Sequence, residues 1–330
     1  MSKFIGRKLN IGIGKETVRG TAATIAFWLP KMDVSIDEKV EQVVNEASIG
    51  TIADSEKVET TSLASEGSIT GRIEQTTHGL ILKALFGGET STAVAGDATV
   101  YDHLFTVDET AQHPSLTIGV SSPNETGAAS RAYTLGMIDS YDFSAEIGKY
   151  PTYKLGFRAN TSAVATLTPT YTTETAFLPQ DGIVKFASTL AGLTAASAIV
   201  LKKASISIKT NTEDDIVLGS VTPADRLNKQ YAVEGTLELL YTDRTYIDTD
   251  YVAGLVQALR ISLVNADVTI GTTSRPTITF DFAKVYLTEV ARKIGNDDIV
   301  SQTLKFKAVY SIADTQLATC TLRNLQAATY

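Results

Sequence analysis

The chain repeats its own pattern, and that echo limits what it can fold into. It reads Trp28-Leu-Pro-Lys-Met-Asp-Val-Ser-Ile36, then a polar stretch holding Ile49-Gly50, then Glu66-Gly-Ser-Ile69. Farther on it reads Ile199-Val-Leu-Lys-Lys-Ala-Ser-Ile-Ser-Ile208, a polar stretch holding Leu218-Gly219, then Glu234-Gly-Thr-Leu237. An apolar helical segment follows each block, Leu80-Ile-Leu-Lys-Ala-Leu-Phe86 and Ala253-Gly-Leu-Val-Gln-Ala-Leu259. Each half then closes with a predicted strand pair, 138–147 with 153–159 and 278–290 with 302–308. The spacing drifts from 172 (Ile36 to Ile208) to 168 (Gly67 to Gly235) to 149 (Phe157 to Phe306). Loops that gain or lose residues between conserved packed elements produce such drift. The chain's 330 residues suffice for two domains with cores of their own. The Thr-, Ala- and Ser-rich region 160–200 places the boundary, giving units 1–175 and 176–330. A unit written twice points to a part that associates with copies of itself.

Each unit reads as mostly strand. In 67–75, Ile69 and Ile73 alternate with Ser68, Thr70, Arg72 and Glu74. Leu237, Leu239 and Tyr241 alternate with Glu238, and Leu304, Phe306, Ala308 and Tyr310 form another inward set. One-sided alternation marks antiparallel sheet with one buried and one wet face. Helices are predicted over 77–87 and 247–260, with Leu80, Leu82, Leu85 and Phe86, and Tyr251, Leu255, Val256 and Leu259, as the covering sets. The expected fold class is mainly β: two tandem units, each an antiparallel sheet or β-sandwich of about four principal strands with one packed α-helix.

Several function classes are disfavoured. A net charge of −8 and a pI near 5.0 oppose tight phosphate-backbone binding, which needs stripes of Lys and Arg. No apolar run approaches the roughly 18 residues of a membrane span, and the first residues lack a signal-peptide apolar region. Cys320 stands alone, which fits assembly in a reducing cytoplasm. Gly12-Ile-Gly14-Lys15 lacks the third glycine and the Lys-Ser/Thr pair of a phosphate loop, and reads as a flexible arm or turn. His78, His103 and His113 have no metal-ligand spacing, and the last two read as solvated loop residues. Asn124-Glu-Thr126 and Asn160-Thr-Ser162 read as chance sequons. No catalytic, cofactor-binding or metal-binding residue is nominated, and no cofactor is expected.

The order of several short motifs carries a resemblance. Gly14-Lys-Glu16-Thr-Val-Arg-Gly20-Thr21-Ala22 runs into Phe27-Trp28-Leu29-Pro30, followed by Glu66-Gly-Ser-Ile-Thr-Gly71 and Gly79-Leu-Ile-Leu-Lys-Ala-Leu-Phe-Gly-Gly88. Pro114-Ser-Leu-Thr-Ile-Gly119, Leu218-Gly-Ser-Val-Thr-Pro223, Val233-Glu-Gly-Thr-Leu-Glu-Leu239 and Asp298-Ile-Val-Ser-Gln302 continue the series. From about residue 10 to 312 the chain resembles siphophage tail tube proteins. The resemblance implies a non-catalytic major tail protein whose rings stack into a hollow conduit for DNA from capsid to host. It implies a virion tail location after assembly in the host cytoplasm. Its implied partners are copies of itself, tape measure and tail terminator proteins, and DNA that passes without specific binding; no membrane is involved. The alternative reading is a two-domain β-sandwich adhesin or carbohydrate-binding protein. Aromatic platforms would favour it, yet the single Trp28 lies beside Pro30.

Sheet geometry agrees with a tube. Four principal strands per unit and six units give a closed barrel of about 24 strands, which removes exposed edges. At ~4.8 Å spacing and ~40° tilt its backbone diameter is about 48 Å, leaving a bore of roughly 38 Å. Three chains per ring, with pseudo-six-fold symmetry, are favoured over six chains. The polar insertions 39–65 and 210–230, with the N-terminal segment 1–21, are expected to be arms that order against an adjacent ring. The extra hairpin-like loop 88–113 of the first half is placed outside the tube or at a ring junction. Asp33, Asp37, Glu74, Asp142, Glu146, Glu238 and Glu289 are expected to face the lumen as a net negative lining, with Glu146 and Glu289 at matching places in the repeat.

Overall fold

A computed structural model describes residues 5–122, 130–296 and 299–330. The first half contains β1 (Asn10–Lys15), β2 (Phe27–Leu29), β3 (Lys31–Val44), β4 (Val58–Arg72), the helix α1 (His78–Phe86), β5 (Gly87–Val94) and β6 (Asp97–Val107). It continues with β7 (Leu116–Ser121), β8 (Ser130–Glu146), β9 (Thr152–Ala159) and β10 (Ala163–Val164). The second half contains β11 (Gly182–Ala187), β12 (Ala198–Ile199), β13 (Leu201–Lys209), β14 (Glu213–Asp215), β15 (Asp225–Leu227) and β16 (Ala232–Leu240). It ends with β17 (Gln257–Val264), β18 (Thr277–Lys293), β19 (Ser301–Ala308) and β20 (Ala318–Asn324). The protein is mainly β and antiparallel, as the alternation predicts.

One sheet runs in the order β3-β4-β9-β8-β13-β16-β19-β18. Its buried face carries Ile69, Phe157, Leu155, Tyr141, Phe143, Ile206, Ile208, Leu237, Leu304 and Phe306. The 17-residue strands β8 and β18 each serve two layers. Their N-terminal parts leave the eight-stranded sheet to pair with β7 and β17, and the register shifts at Ile138/Ser140 and at Leu287/Glu289. A bulge adds a residue to one strand and bends it, so each long strand can pass from one layer to the next. α1 lies within the core, with Leu80, Ile81, Leu82, Leu85 and Phe86 all buried.

The pairings of the first half recur in the second, strand for strand. Gly67 lies opposite Ile36 and Phe157, as Gly235 lies opposite Ile206 and Phe306. Ile11 faces Leu29 across β1 and β2, as Val184 faces Ile199 across β11 and β12. The register shift between Leu116 and Ile118 returns between Gln257 and Leu259. Ile36 therefore corresponds to Ile206, not to Ile208. The two-residue slip in the sequence match keeps every side chain on its face, since strand faces repeat every second residue.

The second predicted helix is shorter than its pattern. One π-helical segment spans Tyr246–Val252, and Gly254 then turns the chain at φ 67 into β17. Leu259, Ile261 and Leu263 are buried and alternate with Arg260. A short apolar run cannot distinguish strand from helix by periodicity alone, and here the sheet claims it. The hairpin-like loop expected over 88–113 is the hairpin β5–β6, which pairs through β6 with β20 and through β20 with β18. The N-terminal segment is not an arm from Asn10 onward: β1 lies between β2 and β7, with Ile11 and Ile13 fully buried. Gly12 and Gly14 admit close backbone there, since an added Cβ would stand 2.9 Å from the Phe27 carbonyl oxygen and inside contact with Thr24.

His78 opens α1 wholly inside the core, with Nε2 2.8 Å from the Tyr141 hydroxyl. Burial holds its pKa down to about 3. In the unfolded chain the imidazole titrates near 6.5, so its contribution to stability is full above that pH. Below it the unfolded state binds a proton that the folded state refuses, and stability falls by roughly 1.4 kcal/mol per pH unit until about pH 3. Urea midpoints measured from pH 7 to pH 4 should show this slope removed in His78→Gln. Identical slopes in both proteins would refute the assignment.

Candidate functional site: the polar face of the eight-stranded sheet

The face opposite the core is built by the alternate residues of the same eight strands. Asp33, Asp37, Asp142 and Glu289 are exposed on it, and Glu146 and Glu238 are half-buried. Glu74 does not belong there. It lies past the end of β4, 2 % exposed, with Arg72 Nε donating to its Oε1 at 2.7 Å. Burial lifts its carboxyl above the ordinary range, against the pull of Arg72. The residue continues the period-two pattern of β4 in sequence, but the chain has already turned toward α1.

The face is a lattice of both charges. Lys203 lies across from Glu146 at 3.6 Å, Lys305 beside Glu289 at 2.7 Å, Lys307 near Glu234 at 3.6 Å and Lys39 beside Glu66 at 2.9 Å. Ser207 donates to Asp142 at 2.6 Å. The Lys149 ammonium, followed by Lys203, holds the Glu146 carboxyl below its usual range. Arg72, Lys154, Arg158, Lys209 and Lys293 add further cations. The expected net negative lining is thus nearly balanced in charge. Glu66 and Glu234, at one repeat position, were legible in the twice-written Glu-Gly, although the acid set omitted them. Glu146 and Glu289 do not match: Glu289 lies opposite Lys305 as Ser140 lies opposite Gly156, so Ser140 is its counterpart.

The two insertions differ from structureless arms. Residues 39–65 extend the β3–β4 hairpin, whose Val40, Val43, Val44, Ile49, Ile52 and Val58 are exposed. In 210–230, Ile216, Val217, Leu218 and Val221 are exposed around the small β14–β15 ladder. Ile49-Gly50 and Leu218-Gly219 both end on a glycine of positive φ, 84° and 90°. The base of the second insertion is pinned. Arg226 is fully buried, its Nε 2.8 Å from Asp214 and its Nη1 donating to Asn160 Oδ1 at 2.8 Å and to the Leu135 carbonyl at 3.3 Å. Arg19 donates to both Asp225 oxygens, to the Arg226 carbonyl and to the His113 carbonyl at 2.7 Å.

Two histidines read as solvated are buried. His103, on β6, places Nδ1 3.0 Å from Glu89 and Nε2 2.8 Å from the Gln326 carbonyl. His113 is 1 % exposed, packs on the Tyr231 ring, and burial lowers its pKa. Among the described residues no group of three or more His, Cys, Asp or Glu could hold a metal ion, and no helix is long and apolar enough to cross a membrane. Asn124 lies outside the described residues.

A family model described as phage tail tube protein matches residues 6–308. The chain belongs to the phage tail tube protein family. No curated protein sequence matches it. Membership assigns this tail tube protein a structural role in the virion tail, through self-assembly into stacked tubes.

Proposed function

We propose that this tail tube protein forms rings of three chains, in which the eight-stranded sheets join into one barrel around a bore that DNA crosses. The single observation that carries the reading is the recurrence of strand pairings between the halves. Two copies of a tube unit, split near residue 175, lie side by side through the β8–β13 pairing. Three such chains supply about 24 strands and a bore wide enough for duplex DNA. Six chains per ring is the rival stoichiometry. The polar face lines the bore, with Asp33, Asp37, Asp142, Glu146, Glu238 and Glu289 interleaved with lysines. Each carboxylate offsets a neighbouring ammonium, so a phosphate polymer meets neither a uniformly attractive nor a uniformly repulsive wall. The hairpin tips 45–57 and 216–221 contact the next ring, because their apolar side chains Ile49, Ile52, Ile216, Val217, Leu218 and Val221 are exposed. The subunit has no catalytic role, is assembled in the host cytoplasm, and meets tape measure and tail terminator proteins at the inside and the end of the tube.

Electron microscopy of the purified protein, with mass measurement of single rings, tests the proposal. Rings or tubes with a central hole and a mass of three chains are expected. Six chains per ring would reject the stoichiometry, and persistent monomers that bind glycan would reject the tube in favour of an adhesin.

A further inference from the structure

The eight-stranded sheet has two free edges. Among the described residues β3 pairs only with β4, and the part of β18 beyond Val285 pairs only with β19. Unpaired strand edges present rows of N–H and C=O groups ready to accept another strand. In the middle of the same sheet, the counterparts of these two edges are already joined. β8 stands where β18 stands in the repeat, β13 stands where β3 stands, and the two pair antiparallel from Lys203 opposite Glu146 to Lys209 opposite Ser140.

We infer that β3 of one chain pairs with the C-terminal part of β18 of the next copy, in the register that β13 and β8 use within the chain. The inference rests on the ring reading above and specifies its seam. The matches Ser205 to Ser35 and Ser140 to Glu289 transfer the register directly. Lys39 then faces Glu289, Asp37 faces Ala291 and Ser35 faces Lys293. On the polar side Lys293 lies diagonally between Asp33 and Asp37, within reach of both. The sign pattern is complementary along the seam, as it is where Lys203 meets Glu146 inside the chain.

The core side gives an independent indication. Within the chain, the seam buries Ala204, Ile206 and Ile208 against Tyr141 and Phe143. At the free edges the corresponding apolar residues are only partly covered. Val34, Ile36 and Val290 are half-buried, and Ile294 is 69 % exposed. The register sets Val34 opposite Ile294, Ile36 opposite Arg292 and Glu38 opposite Val290, so joining the edges covers Val34 and Ile294 and brings the Glu38 carboxylate diagonally to the Arg292 guanidinium. A second copy of this chain is therefore the occupant that fits both edges at once.

Disulfide trapping in the full chain tests the seam. Two in-register double variants, Ser35→Cys/Lys293→Cys and Asp37→Cys/Ala291→Cys, place thiols directly opposite across it. A shifted pair, Ser35→Cys/Ala291→Cys, places them two residues out of register. All four positions are exposed in the single chain, and the native Cys320 is buried. After oxidation of assembled protein, non-reducing denaturing gels should show covalent multimers for both in-register pairs. They should form at least tenfold faster than for the shifted pair. Micrographs of the same samples separate the two levels of the argument. Tubes without in-register trapping, or with equal trapping of the shifted pair, overturn the seam and leave the tube reading standing. A wild-type chain that never assembles overturns both.

Discussion

Replacing Arg226 with alanine should cost about 3–5 kcal/mol of stability, read as a fall in urea midpoint. The guanidinium is fully buried beneath the second insertion and is held by Asp214, Asn160 and the Leu135 carbonyl. Removing it strands those acceptors away from water, and each lost partner costs more than the bond contributes net. The loss should be local first. Amide hydrogens in 210–230 should exchange much faster in Arg226→Ala, with those of β16 and β19 less affected. Replacing the pair together, Arg226→Met with Asp214→Leu, should recover part of the midpoint, because it removes the stranded carboxylate while Asn160 Oδ1 and the Leu135 carbonyl still lack the guanidinium. A single variant as stable as the wild type would show that the insertion is held by Arg19 and its contacts alone.

Phe306→Ala should be comparably severe, about 3–5 kcal/mol, and so should Phe157→Ala. Each ring lies over a glycine in the neighbouring strand. A Cβ on Gly235 would stand 2.5 Å from the Ser205 carbonyl oxygen and under the Phe306 ring, and one on Gly67 would stand 2.7 Å from the Phe157 ring. The glycine makes the seat and the phenylalanine fills it, so truncation leaves a cavity that the rigid sheet cannot collapse. Gly235→Ala should also destabilise, by about 1–3 kcal/mol through overpacking. The double variant Gly235→Ala/Phe306→Ala should not return to wild-type stability, since the backbone oxygen of Ser205 still opposes the added methyl. Calorimetric midpoints of the four proteins check this. Full recovery in the double variant would mean that ring contact alone excludes the side chain.

Much of this was visible beforehand for physical reasons. Alternation at Ile69, Leu237, Leu304 and Phe306 assigned the buried face correctly, because a strand has no other way to hide every second side chain. The apolar run at 80–86 forms the predicted helix, with Leu80, Leu82, Leu85 and Phe86 buried. The run at 253–259, of the same length and also predicted as helix, instead leads into β17, since its outcome depends on β11 and β18 lying ready on either side of that strand. Glu74 and His103 were misplaced for one reason. Each lies in a polar-looking stretch, and what buried them comes from distant chain: residues 174–176 beside Glu74, and the 324–330 segment over His103.

By itself the sequence determined the period of each strand, the order of the elements, the recurrence of Glu-Gly and of the Phe that faces it, and membership in the tail tube family. These are properties of residues near one another in the chain or repeated along it. The tertiary structure alone decided that the two halves share one sheet through β8 and β13. It alone decided that β20 joins them again through β6, and that the charges of the polar face come nearly into balance. Those outcomes depend on which strands lie side by side and in what register. A register is set by bulges, turns and packing summed over the whole molecule, and no local window of sequence contains that sum.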